Sequence, residues 1–239
     1  MQILRDIISN LVNDEPVESA AIGTFVTCVT ASQAGLASTF RNLCSTDHAG
    51  IEDSGKLNHY SLKEIAMRSF SNNLLEASLG MAAVNALIPI PRKNILEMKA
   101  QDLLFEKSQN KHAAVIGHFP FTERLHKIAG KLTVIQHPPY QGLQGVHEAS
   151  SVFPDADVIA ITGSSFINHT FQDLLGCANP NAFKIVLGGT TPLSTVLFDH
   201  GIDALCGCII NDSEKLLRSV IQGATFRELP GVRKIVWVK

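Results

Sequence analysis

The sequence predicts an α/β protein: a Rossmann-like, doubly wound parallel sheet in residues 96–239, preceded by a smaller α+β domain in residues 1–95. Three observations carry this reading. From Lys111 onward HAAVIG, KLTVIQ, ADVIAIT, FKIVLGG, DALCGCII and VRKIVWV are short runs built around continuous apolar stretches. A strand apolar on both faces must be covered on both faces, which is the condition of a parallel sheet between helices. Helical stretches such as TERLHKIAG, INHTFQDLLGCA, LSTVLFDHG and SEKLLRSVIQGA separate most of these runs, giving the βα rhythm of an open wound sheet. Residues 17–40 follow another pattern, β-branched residues broken by Gly23 and Gly35, so the first part begins with a hairpin and continues with helices.

Taken in order, MQILRDIISNLVND puts Ile3, Leu4, Ile7, Ile8, Leu11 and Val12 on one helical face. Arg5 and Asp6 interrupt any signal-like apolar core, so this is an amphipathic helix. TFVTCVTASQAGLASTF reads as two antiparallel strands around a Ser-Gln-Ala-Gly turn. CSTDHAGIEDSGKLNHY has loop composition. Ser61 followed by Glu64 is a capping box. NLLEASLGMAAVNALIP, apolar almost all round, is a buried helix closing at Pro89. IPIPRKN marks the boundary, and residues 95–108 are expected to be helical.

A formal charge of −2 with dispersed basic residues argues against a nucleic-acid partner. Ser19–Phe40 is uncharged but too rich in Thr, Ser, Gln and Gly to span a membrane. Cys28, Cys44, Cys177, Cys206 and Cys208 lack CxxC spacing and read as reduced thiols of a cytoplasmic protein. The expected partner is a small-molecule ligand, in a monomer or a homodimer, with no membrane involved.

Ligands of open α/β sheets bind beyond the carboxyl ends of the strands. Four loops lie there: Gly117-His118-Phe119-Pro120-Phe121-Thr122, Gln136-His137-Pro138-Pro139-Tyr140, Thr162-Gly163-Ser164-Ser165 and Gly188-Gly189-Thr190-Thr191-Pro192. The last is polar yet uncharged, an elbow suited to backbone amides and hydroxyls that meet an oxygen-rich anion ahead of a helix. Ordinary NAD binding is disfavoured, because only Gly117 of a G-x-G-x-x-G remains and Gln136 stands where an acid is wanted. No GxxxxGK[ST] is present. A divalent metal is the cofactor left open, with His118 and His137 as candidate ligands among the loop histidines. Cys206-Gly207-Cys208 reads as buried strand, and TGSSF lacks the G-x-S-x-G elbow. No catalytic residue emerges.

VIGHFPF, PDADVIAITGSSFINHTFQDLL and IVLGGTTPLSTVLFDHGIDALCG, in that order, resemble the "putative heavy-metal chelation" family, a domain of unknown function. ASLGMAAVNALI and AGLAST are similar to its companion N-terminal domain, itself described as resembling the small N-terminal domain of enolase. The resemblance covers essentially the whole chain. It implies an enolase-N-terminal-like domain, a Rossmann-like domain, and a ligand cleft between them. Its motif positions fall on Asn85, Gly117, His118, Thr162, Gly163, Asn168, Thr170, Gly188, Thr191 and Pro192. Where the family's second strand ends in an acid, with an Arg-Pro loop and a Gly-Asp pair following, this chain has Gln136-His137-Pro138-Pro139 and Gly142-Leu143. Both acids are gone, which weakens direct metal binding. The function expected is binding or chelation of a metal, or of a metal-complexing organic anion. The alternative is an enzyme acting on a phosphorylated or nucleotide-like molecule in the same cleft. Phe119, Gln136, Ser164, Gly189 and Thr190 complete the expected ligand site.

Overall fold

The computed structural model describes residues 1–40, 50–136 and 142–239. Its first segment opens with helix α1 (Gln2–Ser9), whose Ile3, Leu4 and Ile7 are buried. Strands β1 (Ser19–Ile22), β2 (Val26–Thr30) and β3 (Ala34–Ser38) form an antiparallel sheet in chain order. The expected hairpin is β2–β3, and β1 adds a third strand to it. Helix α2 (Leu62–Met67) starts at the Ser61–Glu64 capping box. Helix α3 (Leu74–Leu87) begins at Asn73, whose side chain accepts the Leu75 amide, and is buried around nearly its whole circumference. One reason is Gly35 on β3: a Cβ there would fall inside contact distance of the α3 backbone at Ala82 and Ala86. Only glycine lets strand and helix approach so closely.

The second segment supplies β4 (Ile95–Leu96), α4 (Ala100–Ser108), β5 (His112–Ile116), α5 (Thr122–His126), β6 (Lys131–Ile135) and α6 (Gly142–Val152). It continues with β7 (Val158–Thr162), α7 (Phe171–Gly176), β8 (Phe183–Leu187), α8 (Thr195–Asp199), β9 (Ala204–Ile210), α9 (Ser213–Ile221) and β10 (Val232–Val238). These strands form one seven-stranded sheet in the order β4-β10-β9-β8-β7-β5-β6. Strands β5 to β9 are parallel, while β10 runs against β9 and β4 runs against β10. All six expected strands are present.

The helix expected over 95–108 starts only at Ala100. Asn94 turns the chain at φ 58°, and Ile95 and Leu96 pair with Trp237 and Val236. Sheet pairing at the open edge of β10 overrides the helical pattern there. Helix α6 was not among the expected elements, because Gly142 and Gly145 dilute its helical signal.

One sheet face packs Leu104, Val115, Leu125, Leu187 and Cys206 beneath α4 and α5. The other face belongs to a cluster that takes in both segments, with Ile7, Val29, Ala37 and Val84 packed together with Ile161, Phe166, Val186 and Leu197. Helix α9 joins them again, setting Leu216 and Val220 against Val26, Cys28 and Leu36. No helix among the described residues is long and apolar enough to cross a membrane.

Candidate ligand cavity

Register places one row of residues across six strands. Ile116 pairs with Ile135 and with Ile161; Thr162 pairs with Leu187, Leu187 with Cys206, and Cys206 with Val236. One residue past the isoleucines, Gln136 and Gly117 continue the row Thr162–Leu187–Cys206–Val236. All six line a cavity of about 1060 Å³ along the carboxyl edge of the parallel strands. Val26, Leu36, Ser38 and Phe40 of the hairpin segment form its other wall.

In the loop after β5, the exposed His118 accepts a hydrogen bond at Nδ1 from Gln136 Nε2, 3.0 Å away. With Nδ1 used as an acceptor, neutral imidazole carries its proton on Nε2 and offers a donor there. Phe119 and Phe121 stack with ring centroids 5.2 Å apart. In the loop after β7, the Thr162 and Ser164 hydroxyls are 2.8 Å apart, and Ser165 Oγ donates to the Thr162 carbonyl at 2.6 Å. Asn168 Oδ1 accepts from Thr170 Oγ1 at 2.8 Å. These local turns orient the hydroxyls that line the cavity.

The elbow after β8 divides its labour. Gly188 has φ +114° with open space where a Cβ would stand, and it lines the cavity. Gly189 lines it too, but its Cβ direction is closed by Phe226 and Leu36, so its smallness serves packing. Thr190 Oγ1 accepts from the Ser38 amide at 2.9 Å, and its carbonyl accepts from Asn85 Nδ2 at 3.1 Å. Asn85 Nδ2 also donates to the Leu36 carbonyl at 2.9 Å. The elbow does not open a helix as expected: α8 begins at Thr195, capped by Ser194, so Pro192-Leu193-Ser194 intervenes. This uncharged stretch is therefore half cavity wall and half tie to the hairpin.

Of the expected site residues, Gly117, His118, Phe119, Gln136, Thr162 and Ser164 line the cavity, as do Asn168, Thr170, Gly188 and Gly189. Gly163, Thr190, Thr191 and Asn85 do not. Gly163 is packed against Thr191. Asn85 and Thr191 line a separate hollow of about 30 Å³. Asn85 Oδ1 and Thr191 Oγ1 have no hydrogen-bond partner among the described residues. His137, the other candidate metal ligand, lies outside the described residues.

Sequence reading missed the cationic side of the cavity: Lys99 at the start of α4, Arg227 before β10, and Lys234 on β10. None of these three makes an ion pair among the described residues. Lys234 Nζ sits 4.9 Å from the centroid of the Phe226 ring. Among the described residues no Asp or Glu lines the cavity. Cys206, on the floor, is 4% exposed, and burial pushes its thiol up to about 12, so it is protonated near neutrality. No group of three or more His, Cys, Asp or Glu among the described residues could hold a metal ion. Among the described residues, a neutral thiol and a lining without carboxylate do not fit a protein-built metal centre.

Two family models match, both described as "Putative heavy-metal chelation": DUF364 over residues 99–239 and DUF4213 over residues 4–88. No curated protein matches the chain. Two crystal structures of DUF364-family proteins of unknown function share the fold. The one from Desulfitobacterium hafniense has a TM-score of 0.82 at 23% identity, covering 100% of this chain and 98% of that one. The one from Pyrococcus horikoshii has a TM-score of 0.78 at 19% identity, again covering 100% and 98%.

Proposed function

This chain belongs to the "Putative heavy-metal chelation" family, and from that premise we propose that it binds an oxygen-rich organic anion in the cavity between its hairpin segment and its strand ends. Any metal it handles comes complexed by that anion, not ligated by the protein. The carrying observation is the lining: three cations, several hydroxyls and amides, and no carboxylate among the described residues. A hydrogen bond to a charged group contributes roughly 1.5–3 kcal/mol against roughly 0.5–1.5 kcal/mol for a neutral one. The cations therefore weigh most in selecting the ligand, and they select against a bare metal ion. The volume of about 1060 Å³ lies just above the usual range for a small-molecule site, on the order of 300–1,000 Å³. Thr162 and Ser164 have each other's hydroxyls as partners, with no carboxylate beside them among the described lining residues, which favours binding over catalysis.

Native mass spectrometry and metal analysis of gently purified protein test this reading. The expected result is an organic anion retained at one per chain, with any metal lost when that anion is dialysed away. Stoichiometric uptake of a bare divalent metal by ligand-free protein would overturn it.

A further inference from the structure

Resting on that reading, we infer that the cavity is a two-ended trench taking an elongated ligand, with an anionic group at the β10 end, an apolar or planar body, and an uncharged polar head at the β5–β6 end. Length is the first support. The row from Gln136 to Val236 crosses six strands in the order β6-β5-β7-β8-β9-β10. At about 4.8 Å between strands this is roughly 24 Å, far longer than an inorganic anion or a hydrated metal ion.

Charge is the second support. Lys234 stands two residues from Val236 on β10, paired with Cys208. Lys99 follows β4, whose Leu96 pairs with Val236 from the other side. Arg227 lies in the connection that leads into β10. All three cations thus belong to the chain at or beside β10. The far end offers His118 Nε2, Gln136, Thr162 and Ser164, which carry hydrogen-bonding groups and no fixed charge. Screening in physiological salt has a length of about 8 Å. Cations at one end of a trench of this length leave the other end electrostatically indifferent.

The middle is the third support. Leu187 and Cys206 form the floor there, and Phe226 stands between Lys234 and Gly189. On the β5 side the stacked pair Phe119–Phe121 also faces the cavity. Apolar and aromatic surface between a polar head site and a cationic site suits an amphiphilic molecule ending in a carboxylate, sulfonate or phosphate.

Two fluorescent probes that differ in one charged group test this on the full chain. They are 1-anilinonaphthalene-8-sulfonate and the uncharged N-phenyl-1-naphthylamine. The double variant Arg227→Gln, Lys234→Gln changes exposed side chains, and its melting temperature checks that it folds. Its affinity for the sulfonate should fall about tenfold, equivalent to ~1.4 kcal/mol, with the uncharged probe little affected. In the unmodified protein, raising salt to about 0.5 M should weaken only the sulfonate. Equal losses for both probes, or no loss for the sulfonate, would overturn the two-ended trench while leaving the cavity a ligand site. Failure of both probes to bind the unmodified protein would overturn the ligand-site reading and this inference with it.

Discussion

Thr190 Oγ1 accepts the Ser38 amide at 2.9 Å and donates to Ser38 Oγ at 3.2 Å. A hydroxyl on the elbow after β8 thereby completes the end of a hairpin strand 152 residues earlier in the chain. Both groups of the hydroxyl are committed, so Thr190 holds the two cavity walls in register.

Thr190→Val should therefore destabilise the fold by about 1–3 kcal/mol, the cost of leaving a part-buried amide without its acceptor. Thr190→Ser should recover most of it. The neighbouring Thr191→Val should be neutral or stabilising, because its hydroxyl is buried with no partner among the described residues. Urea unfolding of the three variants measures the contrast; equal losses at 190 and 191 would contradict it.

Gly35→Ala should be severe, costing several kcal/mol or abolishing folding, because the added methyl meets α3 backbone that cannot give way. Gly176→Ala has nothing within 4 Å of the new Cβ and lies in the last turn of α7. It should stabilise by up to about 1 kcal/mol. Thermal denaturation of the pair tests the packing of β3 on α3.

Burial pushes the thiols of Cys28, Cys206 and Cys208 from 9.0 up to about 12. Each is raised in the folded chain, so its contribution is complete below pH 9 and is lost as pH climbs towards 12. Melting temperature should fall steadily across this alkaline window. Replacing all three by alanine should flatten the slope whatever it does to absolute stability. Iodoacetamide near pH 8 should leave the three thiols largely unmodified in folded protein. Rapid modification of Cys206 would show that the cavity floor is open.

Arg68 and Glu76 form an ion pair at 3.1 Å with side chains only 14% and 10% exposed. Arg68 Nη1 also donates to the Glu52 carbonyl at 2.8 Å, and Glu76 Oε1 accepts the Glu52 amide at 2.6 Å. Glu76→Leu strands a mostly buried guanidinium and should cost about 3–5 kcal/mol. The double change Arg68→Met, Glu76→Leu should return a good part of that loss. Additive losses in chemical denaturation would contradict the coupling.

The parallel core was legible because strands buried on both faces leave an unbroken apolar signature, and the capping box at Ser61 is written in two residues. Strand direction leaves no such mark. VRKIVWV reads the same whether it runs with β9 or against it, and Ile95-Leu96 is too short to separate from a helical start. The candidate site divides along the same line. Loops after parallel strands were recognisable by their Gly, Thr and Ser content. Lys99, Arg227 and Lys234 are scattered in sequence and meet only through the order β4-β10-β9, which no local pattern encodes. Asn85 stands at a motif position of the family that the sequence resembles. Its partners turned out to be the carbonyls of Leu36 and Thr190, groups that every residue possesses and no sequence singles out.

The large core cluster draws Val29, Ala37 and Val84 into the same packing as Ile161, Val186 and Leu197. The hairpin segment and the strand edge that face each other across the cavity thus also share an interior. A molecule that fills the cavity has nothing to hold once either wall melts, so it binds the assembled chain alone. Occupancy and global unfolding are then one linked equilibrium. A ligand present at a hundredfold its dissociation constant raises the stability of the entire chain by about 2.7 kcal/mol. Heat itself becomes the reporter, and a collection of candidate anions can be ranked by the melting point each one confers before any chemistry is known.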